Sequence, residues 1–509
     1  MRTLLPLMLA LTLSACGGGG AGSGTTLGGG SVSVPAPPAP APLARGSVAA
    51  AAALVPISAG GHSLPRLDPA VFGVLLEAAQ AGVTKLTGDP KCTVTTFSVR
   101  YNTVGAAGEA TTASAAIMVP SGADLSCSGS RPVLLYAHGT AIEKASDMSN
   151  LAGNTEARLV AAMFAAQGFL VVAPNYAGYA GSTLDYHPYL IADQQAADMV
   201  DALRAARSSF AGIGALDSGK LFVTGYSQGG HVALATQRAM QALPAEFAPN
   251  AVAGMSGPYA LSQFGDAIFG GAPRIGATAV LPMLVNAGQR AGAGLYVQTS
   301  DIYEPKYATG IDTLLPASTD LDGLISANKL PATAVFAADS FPQGASSGQY
   351  FASDHLIKSS YRAAFLADAA AHPCSLNNST PLACAPAQAL RKLLLKNDLR
   401  NFTPGAPLML CGGNGDPTVP YLNTVSALAY YRIGAPAVIE VDLDTLPGLS
   451  DPYRAQKLSF IAAKDALFLS AVAGGDSGAR AVETNYHAGL VAPFCIQAAR
   501  SFFQSVLAR

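Results

Sequence analysis

Gly225-Tyr226-Ser227-Gln228-Gly229 sets a serine between two glycines. A serine hydroxyl is a poor nucleophile until a neighbouring base takes its proton as it attacks. A sharp turn from strand to helix exposes such a hydroxyl, with glycines where side chains would collide. The surroundings fit that device. Residues 221–224 (Leu-Phe-Val-Thr) read as a buried strand, residues 231–240 as a helix, and Gly230 extends the small-residue surface between them. The pentapeptide alone is a weak signal in a chain with 53 glycines, and Gly344-Ala345-Ser346-Ser347-Gly348 matches the same pattern. No strand precedes that second match and no obvious helix follows it, so Ser227 is the expected nucleophile and Ser346 is not.

With a nucleophile on such a turn, the acid and then the histidine follow it along the chain. Beyond the helix of the turn stand His355, His372 and His487. His487, in Asn485-Tyr486-His487-Ala488-Gly489, is read in a loop before the C-terminal helix and is the expected base. His355 and His372 fall in a turn-rich interval, where surface or structural roles are expected. The acid must hold the imidazole in one tautomer and stabilise its positive form. Asp416 fits, in the loop 412–420 after the apolar run 407–410; an Asp-Pro turn with a helix cap is the competing reading. Asp442 and Asp444, after the next apolar run, are its rivals. A tetrahedral intermediate needs two N–H donors for its oxygen. Gln228 is expected to supply one, and Thr140 the other, with Gly139 as second choice. His138 is expected to brace that loop.

These residues need a scaffold that presents loops at one sheet edge. Two β-branched segments, 93–104 and 110–120, flank a Gly-rich turn and read as an antiparallel hairpin. Apolar runs then alternate with helical stretches: 133–137, 169–173, 221–224, 251–255, 407–410 and 438–441. That alternation predicts an α/β fold, a mostly parallel sheet with helices on both faces. The core is expected in two parts, 47–259 and 403–509. The interval 260–402 lacks the alternation and is too long for a plain loop; it reads as an inserted, mainly helical cap. A helix is expected from Pro69 to about Gly82, with Asp68 as its N-cap.

Half of the 509 residues are hydrophobic, 12% are charged and the net charge is −2. No basic stretch suited to a phosphate backbone is present, so nucleic acid is not an expected partner. No metal-binding Cys/His spacing appears, and no cofactor or metal is expected. Residues 1–15 have the form of a secretory signal, with Arg2 ahead of an apolar stretch too short to span a bilayer. Leu13-Ser14-Ala15-Cys16 looks like a bacterial lipobox, which implies a lipid on Cys16 and a membrane anchor. Gly17, by resemblance to Gram-negative lipoproteins, implies the outer membrane. Residues 16–46, rich in Gly, Ser, Ala and Pro, read as a flexible tether. Setting Cys16 aside leaves six cysteines, an even number that implies three disulfides in an exported chain. Sequence permits fifteen pairings; Cys92–Cys127, Cys374–Cys384 and Cys411–Cys495 are favoured.

The chain resembles the α/β-hydrolase superfamily, particularly bacterial lipases and esterases related to the secretory, lipase A-like family. The resemblance rests on His138-Gly139-Thr140, Pro174-Asn175-Tyr176-Ala177-Gly178-Tyr179, His187-Pro188-Tyr189, residues 225–231, Gly415-Asp416-Pro417 through Pro420, and His487. It covers roughly residues 90–260 and 405–509, and departs at Asn175, where the pattern has Asp. It implies a small-molecule or lipid carboxylic ester as substrate, cleaved through an acyl-enzyme, and a lid over an acyl pocket. A Cys411–Cys495 bond would tie the segment carrying the acid to the one carrying the histidine. It also counts against the tannase and feruloyl-esterase type, where paired cysteines neighbour the serine and histidine. Two alternatives share the motifs: a serine peptidase of the prolyl-oligopeptidase kind, which lacks its usual large β-domain here, and a non-catalytic hydrolase-fold binding protein.

Overall fold

A computed structural model of the protein describes residues 44–509, apart from residues 60, 343–347 and 436. Cys16, most of the tether and Ser346 lie outside the described residues. One large sheet has nine strands: β1 (Val48–Leu54), β2 (Thr93–Val104), β3 (Ala110–Ser121), β4 (Arg131–Ala137), β5 (Leu170–Pro174), β6 (Asp217–Tyr226), β7 (Ala251–Met255), β8 (Leu408–Gly412) and β9 (Val438–Asp442). Their order across the sheet is β1-β2-β3-β5-β4-β6-β7-β8-β9. The first three pairings are antiparallel, and the rest, from β5–β4 to β8–β9, are parallel.

The helices of eight residues or more are α1 (Pro69–Ala79), α2 (Thr155–Met163), α3 (Ala192–Ser209), α4 (Gln228–Gln241), α5 (Leu261–Phe269), α6 (Ala277–Arg290), α7 (Ser359–Ala371), α8 (Ala389–Lys396), α9 (Leu422–Gly434), α10 (Arg454–Ala473), α11 (Gly478–Asn485) and α12 (Ala492–Leu507). Successive strand residues point to opposite faces, which is why the central strands read as unbroken apolar runs. Leu134, Val171 and Phe222 pack into one cluster with α2 and α12, whereas Leu135, Val172 and Val223 pack with α3 and α4. Both faces are therefore dry, and the loops at the carboxyl ends of the parallel strands are left to carry polar chemistry.

Between β7 and β8 the chain makes a separate layer. It holds α5 to α8, several shorter helical turns, and a two-residue parallel pairing of Phe336–Ala337 with Phe351–Ala352. These elements share their own apolar cluster, which includes Phe269, Leu284, Tyr303 and Phe365.

Three disulfides join Cys92 to Cys127, Cys374 to Cys384 and Cys411 to Cys495. The third links β8 to α12.

Four local features differ from the sequence reading. β1 pairs with β2 at the sheet edge, where an Ala-rich segment gave no alternating pattern to mark it. Arg45 and Gly46, placed in the tether by composition, are held by Asp201 at 2.9 Å and by the Asn102 carbonyl at 2.8 Å. α1 ends at Ala79, and the Asp68 side chain does not cap it; its carboxylate accepts from the Thr93 hydroxyl instead. Finally, His487 lies not in a loop but in a wide π-type helical turn, Tyr486–Val491, that joins α11 to α12.

Candidate active site

Ser227 is the residue between β6 and α4, with φ 58° and ψ −122°. Positive φ is unfavourable for a residue with a side chain, and the structure shows what holds it there. The Ser227 N–H donates to the Met255 carbonyl at 2.8 Å, and its own carbonyl accepts from Gly230 at 2.9 Å. The flanking glycines are required by close backbone approach. A Cβ on Gly225 would lie 2.2 Å from the Gly229 carbonyl oxygen, and one on Gly229 would lie 1.9 Å from that of Ala137. A Cβ on Gly230 would stand 2.7 Å from the Met255 carbonyl oxygen. The pattern of small residues is thus a packing condition for turning the serine outward.

His487 Nε2 stands 2.9 Å from Ser227 Oγ, and its Nδ1 stands 2.7 Å from Asp416 Oδ2. Both partners of the histidine are distant in sequence, by 260 and 71 residues. The other oxygen of Asp416 accepts the N–H groups of Thr418 (2.9 Å) and Val419 (3.0 Å). Asp416 therefore caps its own turn and faces the histidine, while the helix that follows has Tyr421, not Asp416, at its N-cap. Both Asp416 and His487 are buried.

The rivals have other work. Asp442 accepts from the Asn414 N–H and side-chain amide at 3.1 and 2.9 Å, holding the acid loop. Asp444 accepts from the Tyr486 hydroxyl at 2.7 Å and pairs with Lys464. The Tyr486 hydroxyl in turn accepts the Gly415 N–H at 3.1 Å, so the residue beside His487 reaches back to the residue beside Asp416. The Tyr226 hydroxyl donates to the His487 carbonyl. His355 pairs with Glu304 at 3.3 Å and His372 lies 3.9 Å from Asp368, both away from this cluster.

The loop after β4 approaches the serine from the other side. Among the described residues, no acceptor takes the N–H of Thr140 or of Gln228. Gly139 is different. Its N–H donates to Glu156 at 3.0 and 3.2 Å, so it is already engaged. Glu156 also accepts from the Tyr136 hydroxyl at 2.7 Å, while the Thr140 hydroxyl meets that of Tyr189 at 3.1 Å. Sequence reasoning missed Glu156. Asn154, whose side chain caps α2 by accepting from Ala157 at 3.0 Å, marks a helix start there, but nothing local shows that the carboxylate lies under another loop.

His138 stacks on Tyr176 with ring centres 4.2 Å apart, and its carbonyl accepts from the Tyr176 hydroxyl at 3.0 Å. His187 meets the Ala177 carbonyl through Nδ1 at 2.8 Å, and its Nε2 accepts from the Gln228 side-chain amide at 2.6 Å. Burial pushes the His187 pKa down to about 3, which keeps the ring neutral and able to accept that bond. Asn175 donates to Ser114 Oγ and to Asp147 Oδ1, each at 2.9 Å, and accepts from the Met148 N–H at 2.6 Å. An aspartate here would face Asp147 with no proton to give, which accounts for the asparagine.

A cavity of about 510 Å³ opens at Ser227, His487 and Thr140. Its wall is mostly apolar and comes largely from the layer between β7 and β8, including Leu261, Phe264, Ile268, Leu281 and Leu394.

The family described as secretory lipase matches residues 142–266. Among curated proteins no sequence matches significantly. The chain is similar to the rice cell wall degrading esterase LipA from Xanthomonas oryzae, at 26% identity over 84% of this chain and 99% of that one, with a TM-score of 0.64. A ligand-bound form of that esterase aligns over 82% of this chain and 95% of its own, with a TM-score of 0.63 and the same 26% identity. A structure from Legionella pneumophila shares the fold at 20% identity, covering 89% of this chain and 98% of its own, with a TM-score of 0.62. Strand order, the strand–turn–helix at Ser227 and these likenesses identify the chain as an α/β-hydrolase-fold protein related to bacterial lipases and esterases of the secretory lipase kind.

Proposed function

We propose that the protein hydrolyses carboxylic esters through Ser227, His487 and Asp416, by way of an acyl-enzyme. The observation that carries this reading is the unbroken relay Asp416–His487–Ser227, which opens on an apolar cavity beside two unengaged N–H groups. Ser227 Oγ attacks the ester carbonyl carbon while His487 Nε2 takes its proton. Asp416 accepts from Nδ1–H and stabilises the imidazolium. The carbonyl oxygen becomes an oxyanion, which the N–H groups of Gln228 and Thr140 receive. Collapse breaks the acyl–oxygen bond, and His487 hands its proton to the departing alcohol. Water then enters with His487 as base, the second oxyanion collapses, and the acid leaves as Ser227 recovers its hydrogen.

Residues 260–402 act as a cap, and the apolar wall they supply suits an acyl chain. The lipobox at residues 13–16 and the low-complexity stretch behind it support an exported lipoprotein, tethered at the outer membrane through Cys16. The disulfides are consistent with an oxidising compartment.

The test is fluorophosphonate labelling of the purified protein, together with turnover of graded p-nitrophenyl esters. Ser227→Ala is expected to abolish labelling and to lower kcat by roughly 10⁴-fold or more. Undiminished turnover in Ser227→Ala would overturn the assignment.

A further inference from the structure

The layer between β7 and β8 contains five arginines, and four of them have a hydrogen-bond or ion-pair partner. Arg362 donates to the carbonyls of Phe269 (2.9 Å) and Ser340 (2.7 Å). Arg391 pairs with Asp266 and Asp368, Arg400 with Asp398, and Arg290 lies 3.7 Å from Asp185. Arg274 is the exception. It lines the cavity that opens at Ser227, its Nε is buried although the side chain as a whole is only half-buried, and among the described residues no hydrogen bond or ion pair satisfies its guanidinium. It is also the only lysine or arginine among the described residues of that wall.

A guanidinium stays charged at any physiological pH, and an unpaired charge against apolar walls is costly. Asp416 favours the charge electrostatically, but no carboxylate among the described residues makes a hydrogen bond or ion pair with the guanidinium. Asp416 is committed to His487 and two N–H groups, and Glu156 to Gly139 and Tyr136. What the site lacks is an anion with a planar pair of oxygens, the shape a guanidinium fork binds best. Apolar walls with one such cation match an acyl chain that is hydrocarbon along its length and ionised at one point.

We infer that Arg274 is a specificity residue for esters whose acyl part carries a carboxylate, that is, half-esters of aliphatic dicarboxylic acids. The inference rests on the ester-hydrolase reading of Ser227 and names the substrate class of that site. The hydrolysis is unchanged in kind. The acyl–oxygen bond breaks, water supplies the new hydroxyl, the alcohol takes a proton, and the distal carboxylate stays paired with Arg274 throughout.

The experiment compares mono-p-nitrophenyl esters of dicarboxylic acids, from adipate to sebacate, with neutral p-nitrophenyl esters of equal chain length. Arg274→Met is expected to lower the ratio of kcat/KM for the carboxylate series to that for the neutral series by about 10- to 100-fold, the range for losing a charged hydrogen bond. Arg274→Lys, which keeps the charge, is expected to fall between wild type and Arg274→Met in that ratio. Equal losses on both series, or none on either, would overturn the inference. So would a carboxylate preference that appears only when the charge is placed on the alcohol part. Calorimetric binding of adipate and of hexanoate to Ser227→Ala, with and without Arg274→Met, needs no turnover. Loss of adipate binding alone supports Arg274 even if the ester reading fails, and adipate binding that is indifferent to Arg274 overturns it.

Discussion

The two halves of the proposed active site are held by different means. On the nucleophile side, Ser227 and Gln228 sit where one strand runs directly into one helix, and backbone contacts at Gly225, Gly229 and Gly230 define the turn. On the acid–base side, Asp416 hangs from a loop after β8 and His487 from a helical turn 71 residues later. No local geometry brings those two together. That side is instead cross-linked, by the Cys411–Cys495 bond and by the Tyr486 hydroxyl bridging Gly415 and Asp444. A nucleophile can be positioned by its neighbours in the chain; a base drawn from a remote segment needs ties in space.

Removing the strongest tie is the sharpest way to break this contrast. The Cys411–Cys495 bond spans 84 residues, for which loop closure gives about 4 to 5 kcal/mol in the chain-entropy account. The Cys411→Ala/Cys495→Ala double variant is expected to lose stability on that scale in urea unfolding and to lose kcat with it. The Cys374→Ala/Cys384→Ala pair, which spans 10 residues within the layer between β7 and β8, should cost only about 2 to 3 kcal/mol and leave kcat intact. Equal kcat in the two double variants would show that the first bond does not position the acid and base.

On the nucleophile side the equivalent test is Glu156→Gln, which keeps an acceptor for Gly139 but removes the charge that strengthens that bond. The Thr140 N–H should then lose its fixed aim, lowering kcat by about tenfold with little change in KM. An unchanged kcat would mean that Thr140 is held without Glu156.

The remaining effect is on acid stability, through His187. With its pKa held down at about 3, against an ordinary value near 6.5, the folded protein keeps the ring neutral while the unfolded chain takes up a proton. The unfolded state then binds more protons, so stability falls as pH drops from about 6.5 towards about 3, by up to about 1.4 kcal/mol per pH unit. Asp198 works the other way. Burial raises its carboxyl to about 7, so the folded state holds the extra proton and loses stability as pH rises between about 4 and 7. The informative measurement is therefore the difference between wild type and His187→Gln in unfolding midpoint at about pH 7 and pH 5. The variant is expected to have lost part of the acid sensitivity; identical slopes would exclude His187 as its source.

Much of the scaffold was legible in the chain. Strands buried on both faces must be apolar throughout, so the six runs from 133–137 to 438–441 announced themselves, and their alternation with helices implied parallel pairing. The edge strand β1 did not. An Ala-rich strand at a sheet edge, mostly exposed, carries no alternation and only one β-branched residue, Val48. The helical turn at His487 was missed for a similar reason: Gly489 and the polar residues before it read as loop, and packing against Tyr226 and α12 decides otherwise.

At the site, residue types and chain order were enough to single out Ser227, Asp416 and His487, because the strand before the serine and the order of acid and base behind it are local or linear properties. They could not rank Thr140 over Gly139 on physical grounds, since that depends on a carboxylate 17 residues from Gly139 taking one N–H and leaving the other. Nor could they give meaning to Arg274, which is one arginine among many until the folded chain pairs its neighbours and leaves it facing the cavity. Identity and order are written along the chain. Which hydrogen-bond donors remain unpaired is a property of three-dimensional packing, because it depends on every partner that other segments bring.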